Sequence, residues 1–250
     1  MTPLATWTLT PDEFAVLWSR ETGLDSFDYP APLVVREAFA TRDEQDRYVS
    51  TALAARFPQG ADDTLRAAFT IMAKAETRLR CQGELAGGLA VRIHGAALDN
   101  FGVTVHQYAT SAEPSTAIFV ALVRRADVPS TVCAKLPPTQ AGAAGSMVGY
   151  TQRVRGEGEQ GIWGIGAGEN SAEDRIRRLL RQRRTGEGQF VLQRAANSER
   201  PHPPLFTSWI DIASGSAAAG RYLITVDSND TTVVAATGDQ LARELIERRR

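Results

Sequence analysis

The chain has little of what several protein classes require. Two cysteines in 250 residues, Cys81 and Cys133, are too few for a disulfide framework and have no metal-ligand spacing. A reducing compartment is the natural setting. Three histidines leave few candidates for acid–base or metal chemistry. The charge balance is nearly even, a formal −1, so no global field draws in nucleic acid or an anionic membrane. The longest apolar run, Ala117–Val123, has the length of a strand and falls far short of the roughly 18 residues of a membrane span. The opening Met1-Thr2-Pro3-Leu4 has neither the basic flank nor the apolar stretch of a secretory signal. A cytoplasmic chain is expected. Lysine is nearly missing too: Lys74 and Lys135 leave 26 of the 28 basic residues as arginine.

What is present is a globular composition, 43% apolar and 23% charged, long enough to bury a sizeable core. Thr10-Pro11-Asp12-Glu13 supplies a capping box and a first-turn proline, with Phe14, Leu17 and Trp18 on one helical face and Gly23 past the end. Thr41 with Glu44 opens a second helix. A third runs from about Asp62 through Leu65, Phe69 and Met72 to Leu79.

The period then changes to two. Leu89–His94, Val103–Tyr108, Ile118–Val123 and Thr131–Leu136 read as successive strands with short turns, so neighbours should pair antiparallel, and Met147–Val154 reads as one more. Ser171 caps a helix over Ala172–Arg184. Gln189–Arg194, Phe206–Ile212 and Arg221–Val226 read as further strands, and a final helix opens at Thr237. The expectation is a single α+β domain: 1–80 mainly helical, 81–154 a strand meander, 155–170 a Gly-rich connection, and 171–250 helix, strands and helix. No sequence repeat of fixed period is visible.

The apparent chemical motifs are weak. Gly156-Glu157-Gly158-Glu159-Gln160-Gly161 matches G-x-G-x-x-G, but two glutamates would face the phosphates and Ile162-Trp163-Gly164 follows where a helix must open. His94 and His106 fall in strands and could share a face, yet neither has a neighbour at metal-type spacing, and His202 lies in a proline turn. No nucleophile elbow occurs, and Cys133 reads as a small hydrophobe central in an apolar strand. The arginines from Arg175 to Arg184 lack interleaved aromatics and suit a solvated helix face. No catalytic residue, metal site or cofactor is assigned. A small-molecule-binding or hydrolytic enzyme remains the rival reading. It needs a pocket that brings His94 or His106 to a carboxylate such as Asp99 or Asp211. A self-associating scaffold, using the free sheet face, is a third.

Three stretches carry a resemblance. Trp7-Thr8-Leu9-Thr10-Pro11-Asp12-Glu13-Phe14 with Tyr29-Pro30-Ala31-Pro32-Leu33 is one. Arg175–Leu180 followed by Arg184-Thr185-Gly186-Glu187-Gly188-Gln189-Phe190 is the second, and Trp209-Ile210-Asp211 with Gly220-Arg221-Tyr222 the third. In order and spacing they resemble the EspG family, secretion-associated chaperones of actinobacterial type VII (ESX) systems. The resemblance implies a pseudo-two-fold fold, one central antiparallel sheet flanked by N-terminal and C-terminal helical parts. It also implies a binding function without catalysis: covering the hydrophobic tip of the PPE protein in a PE–PPE heterodimer and directing it to the type VII machinery, with no nucleic acid and no membrane insertion involved. Family contacts with the partner involve the sheet, a loop between early strands and the C-terminal helical part. That loop maps to Leu85-Ala86-Gly87-Gly88, shorter here than in mycobacterial members. Leu85, Trp163, Phe206 and Trp209 are the contact residues this implies.

Overall fold

The computed structural model describes residues 2–157 and 171–247. The chain opens with β1 (Ala5–Leu9) and α1 (Pro11–Thr22). Thr10 Oγ accepts the Glu13 amide while the Glu13 carboxylate accepts that of Thr10, the reciprocal box foreseen. Gly23, at φ 73°, ends the helix in the left-handed conformation that glycine adopts without strain. An extended crossing leads to α2 (Arg42–Tyr48), which continues through a π-helical turn, Val49–Leu53, into α3 (Ala54–Arg56), and then α4 (Asp63–Lys74). Four strands follow: β2 (Thr77–Leu85), β3 (Leu89–Leu98), β4 (Phe101–Ala109) and β5 (Ile118–Arg124), then α5 (Val128–Cys133). The second half repeats this plan with β6 (Met147–Tyr150), α6 (Thr151–Arg155), α7 (Ala172–Leu180), β7 (Arg184–Gln193), β8 (Leu205–Ile212), β9 (Gly220–Val226), β10 (Asp230–Ala235) and α8 (Gly238–Glu247).

The fold is α+β, built on one ten-stranded sheet in the order β1-β5-β4-β3-β2-β7-β8-β9-β10-β6 with every paired register antiparallel. Adding five to each strand number of the first half gives the order of the second, read outward from the centre. The sheet is therefore a topological duplicate joined at β2–β7, where Gly83 faces Gly188. No sequence repeat announces it. Topology and strand pairing recur where the side chains do not.

Strand alternation sorts the sheet into two faces. The front carries Cys81, Val91, Ile93, Phe190, Leu192, Trp209 and Leu223, covered by α5 and α8, which also pack on each other. The back is divided. Val103, Val105, Ile118 and Val120 lie under α1 and α4, whereas Ile210, Ile212, Tyr222 and Val233 lie with Ile176 and Leu179 of α7.

Several expectations are corrected. Thr131–Leu136 is not a strand, so the 81–154 segment is not purely a meander. Its Val-Cys run belongs to α5, where Pro129 suits the first turn and Ser130 and Thr131 donate to Asp127 O. Cys133 is thus helical. The third helix stops at Lys74 and Leu79 belongs to β2, so the 1–80 segment already contains one whole strand and the start of another. Met147–Val154 divides into a short strand and a helical turn, and the helix expected to reach Arg184 ends at Leu180.

Candidate functional site

The implied contact residues do not form one patch. Trp209 is fully buried in the front-face core, which removes it as a surface contact. Its indole lies against three glycines: a Cβ at Gly83 would stand 2.9 Å from Trp209 Cζ2, one at Gly186 3.0 Å from Cζ3, and one at Gly188 2.8 Å from Nε1. Phe206 is 53% exposed. It pairs with Val191, three residues along β7 from the Gly188 that faces Trp209, so it projects from the back. Leu85 faces Gly186 and packs against the front core, at the tight turn into β3. Leu85 and Phe206 therefore lie on opposite faces. Trp163 and the end of the G-x-G-x-x-G match lie outside the described residues.

The two late sequence signatures turn out to be structural. Gly186 and Gly188 make the slot that Trp209 fills. Asp211 and Arg221, opposite each other on β8 and β9, form a buried bidentate pair with both N···O distances 2.7 Å. Arg221 Nη2 also donates to Pro137 O at 2.9 Å and its guanidinium lies over the Trp209 ring. The Arg221 backbone bonds Gln140 and Gly142, and the Tyr222 hydroxyl accepts from Ala144 and donates to Ala218. Arg221 and Tyr222 thus fasten the strap that joins the two halves of the chain.

The arrangement required by the enzyme reading is not assembled among the described residues. His106 pairs with Ile93, the neighbour of His94, so the two histidines point to opposite faces. His94 is 3% exposed and its Nδ1–H donates to Ala31 O at 2.8 Å; burial, together with Arg78 and Arg80, holds its pKa down to about 4. His106 stacks on Phe119 and is likewise lowered to about 4, mainly by burial. Asp211 is committed to Arg221. Burial raises both thiols, Cys81 to about 12. A cavity of about 460 Å³ between α5, the strap and the start of α8 is lined by Cys133, Thr139, Arg221 and Asp239 and by no histidine.

The surface the sequence reading missed is the middle of the back face, between the two helical groups. Along β2 and β7 the facing residues are Arg78 with Gln193, Arg80 with Val191, Gln82 with Gln189 and Glu84 with Glu187. Phe206 and Ser208 of β8 extend the strip on one side and Arg92 and His94 of β3 on the other. Gln82, Glu84, Glu187 and Phe206 are exposed, and the arginines are partly buried. The alternation Arg78-Leu79-Arg80-Cys81-Gln82 is the signal that could have found it, had the third helix not been extended across it.

Comparisons with known proteins agree with this architecture. The family model described as the EspG family matches residues 10–247. A solved structure, the Mycobacterium tuberculosis type VII secretion system chaperone EspG5 in complex with a PE25–PPE41 dimer, superposes with a TM-score of 0.60 over 96% of this chain and 94% of that one, at 13% identity. No curated protein matches the sequence.

Proposed function

The chain belongs to the EspG family, and on that premise we propose that it is a cytoplasmic chaperone of a type VII secretion system that acts by binding and not by catalysis. Its partner is the PPE protein of a PE–PPE heterodimer. The chain masks the apolar tip of that protein, keeping it from aggregating, and passes it to the export machinery. The observation that carries this reading is the family match over residues 10–247. A fold shared end to end with a chaperone solved together with a PE–PPE dimer supports it. No helix of the described residues is long and apolar enough to cross a membrane.

Within this reading Phe206 is the contact candidate best placed, an exposed aromatic beside Val191 on the uncovered back strip. Leu85, at the β2–β3 turn, is the second, and it belongs to a different face. Co-expression with each PE–PPE pair of the same genome, followed by size-exclusion chromatography and mass analysis, tests the function. A stable complex with one pair is the expected result; no complex with any pair refutes the reading.

A further inference from the structure

Three arginines at one end of the back strip, Arg78, Arg80 and Arg92, and Arg36, whose charge acts on Arg92, have no ion-pair partner among the described residues. Arg78 Nη2 donates to Asn197 Oδ1 at 3.0 Å, Arg80 Nη2 to Gln193 Oε1 at 2.8 Å, and Arg92 Nη1 to Pro114 O at 2.7 Å and Gln107 Oε1 at 3.2 Å. All of these acceptors are neutral. Among the described residues no carboxylate forms an ion pair with Arg36, Arg78, Arg80 or Arg92. The Nε atoms of Arg78 and Arg80 are buried without a hydrogen-bond partner, and so is Nε2 of His94, which stands directly opposite Arg80. Buried donors and charges left unmet are costly, and native structures leave few of them. Burial lowers the pKa of Arg78 and of Arg92, and so does a cationic neighbour, Arg80 in the first case and Arg36 in the second.

The other end of the strip carries the carboxylates. Glu84 and Glu187 are exposed and directly opposed across β2 and β7, and Glu187 is ion-paired with Arg184, which leaves Glu84 as the charge without an ion-pair partner among the described residues. Between the ends lie Gln82 and Gln189, with Val191 and Phe206 alongside. The strip is therefore a polarised surface with an apolar flank, a mixture typical of protein interfaces.

The geometry points to this strip as the docking surface for a carboxylate-bearing segment of the partner protein, its acidic side chains lying on Arg78, Arg80 and Arg92 and its orientation fixed by repulsion from Glu84. The identity of that partner rests on the chaperone reading above; the charge preference does not. Arg78 and Arg92 stand four residues apart in the β2–β3 register, roughly 13 Å along the strands at about 3.3 Å per residue, a spread that suits an extended segment better than one small ion. A nucleic-acid backbone, negative throughout, would meet Glu84.

Two measurements on the full chain test it separately. In the first, sodium polyglutamate is titrated calorimetrically against the wild type, Arg78→Gln/Arg80→Gln, Glu84→Gln, and a control pair on α7, Arg178→Gln/Arg181→Gln. Binding that falls with salt, weakens by about tenfold or more in the first variant, strengthens in the second and is unchanged in the control is expected. Equal binding by wild type and the Arg78/Arg80 variant overturns the proposal. So does inorganic phosphate binding as tightly as polyglutamate, since a small-anion pocket would then explain the cluster. In the second, the PE–PPE complex is formed with the same variants. A complex insensitive to Arg78→Gln/Arg80→Gln overturns the docking surface and leaves the chaperone function standing. No complex with the wild type, alongside selective polyglutamate binding, refutes the function and keeps the charge preference.

Discussion

Replacing Arg221 with methionine should be among the most damaging single changes in this chain. Its guanidinium meets the Asp211 carboxylate through two bonds of 2.7 Å, and both side chains are at most 4% exposed. Arg221→Met leaves that carboxylate buried with only the long bond from Thr139 Oγ, 3.3 Å, and takes a donor from Pro137 O. Breaking a buried pair in this way costs about 3–5 kcal/mol, and the carbonyl adds about 1 kcal/mol. Domains are stable by only about 5–15 kcal/mol, and in chains of this size each 1 kcal/mol moves Tm by about 2–4 °C. The variant should melt some 10–20 °C lower, by the same arithmetic.

The informative comparison is the double variant Asp211→Leu/Arg221→Met. With both charges gone the desolvation penalty goes too, and such replacements are often neutral or better. Urea unfolding of the wild type, both singles and the double gives the coupling directly. Arg221→Lys, which keeps the charge but not the bidentate geometry, should fall between wild type and Arg221→Met and provides a measurable point if the methionine variant does not accumulate. A single variant within about 1 kcal/mol of wild type would refute the claim that this pair governs the fold of the second half. So would a double variant as unstable as Arg221→Met.

Three further outcomes are expected. Gly188→Ala should cost about 2–3 kcal/mol in chemical unfolding, because the new Cβ would sit 2.3 Å from Gln82 O and 2.8 Å from the Trp209 indole; Gly238→Ala, with nothing within 4 Å, should be neutral or slightly stabilising. His94 binds its proton at a pKa near 6.5 when unfolded but at about 4 when folded, so between those values the unfolded chain holds more protons. The His94 contribution to stability should therefore fall by about 3 kcal/mol as pH drops from 6.5 to 4, and His94→Gln should remove that share of the slope in melts taken across the range, leaving the part due to His106; an unchanged slope would sink the assignment. Phe206→Asp should leave Tm within about 2 °C, as exposed substitutions usually do, while abolishing retention of the PE–PPE pair on size-exclusion columns; unimpaired retention would place the contact elsewhere.

What the sequence made legible was local. Thr10, Thr41 and Ser171, read as caps from the sequence, each accept an amide three residues on, as does Asp62, since capping chemistry is settled within four residues. Strands buried on one face showed their alternation. β1 and β10 were missed: the partner of β1, Ile118–Leu122, lies more than a hundred residues away and five residues alone carry too little pattern, while Thr231-Thr232-Val233-Val234 in β10 sets like residues side by side and shows no alternation. α5 was mistaken for a strand because Val128, Thr131 and Val132 are β-branched, and the packing of α5 on α8 overrides that preference. The exposed strip was hidden for a related reason. Arg78 falls inside the helix expected to run to Leu79 and Arg80 just past it, so neither is read as part of a paired strand face until β7 is known to lie beside them.

The residues that mark this chain as a family member are, in its second half, those that solve the problem of the symmetric seam. At the join the strands carry Gly83 against Gly188, and backbones approach so closely that neither position admits a Cβ. That leaves an empty groove at the centre of the front face, and Trp209 fills it, held by Arg221, which is neutralised by Asp211. Each member of this set requires the next. Glycine without tryptophan leaves a cavity, arginine without aspartate an unpaired charge, and the strap from Pro137 loses its anchor without arginine. None of these residues faces solvent, so none selects a partner. The other side of the seam carries Arg80, Gln82 and Glu84 on β2, with Phe206 nearby on β8, and these can change without disturbing the seam; under the docking proposal above, recognition is written there. The motifs therefore name the fold, and under that proposal the partner is read from the back face.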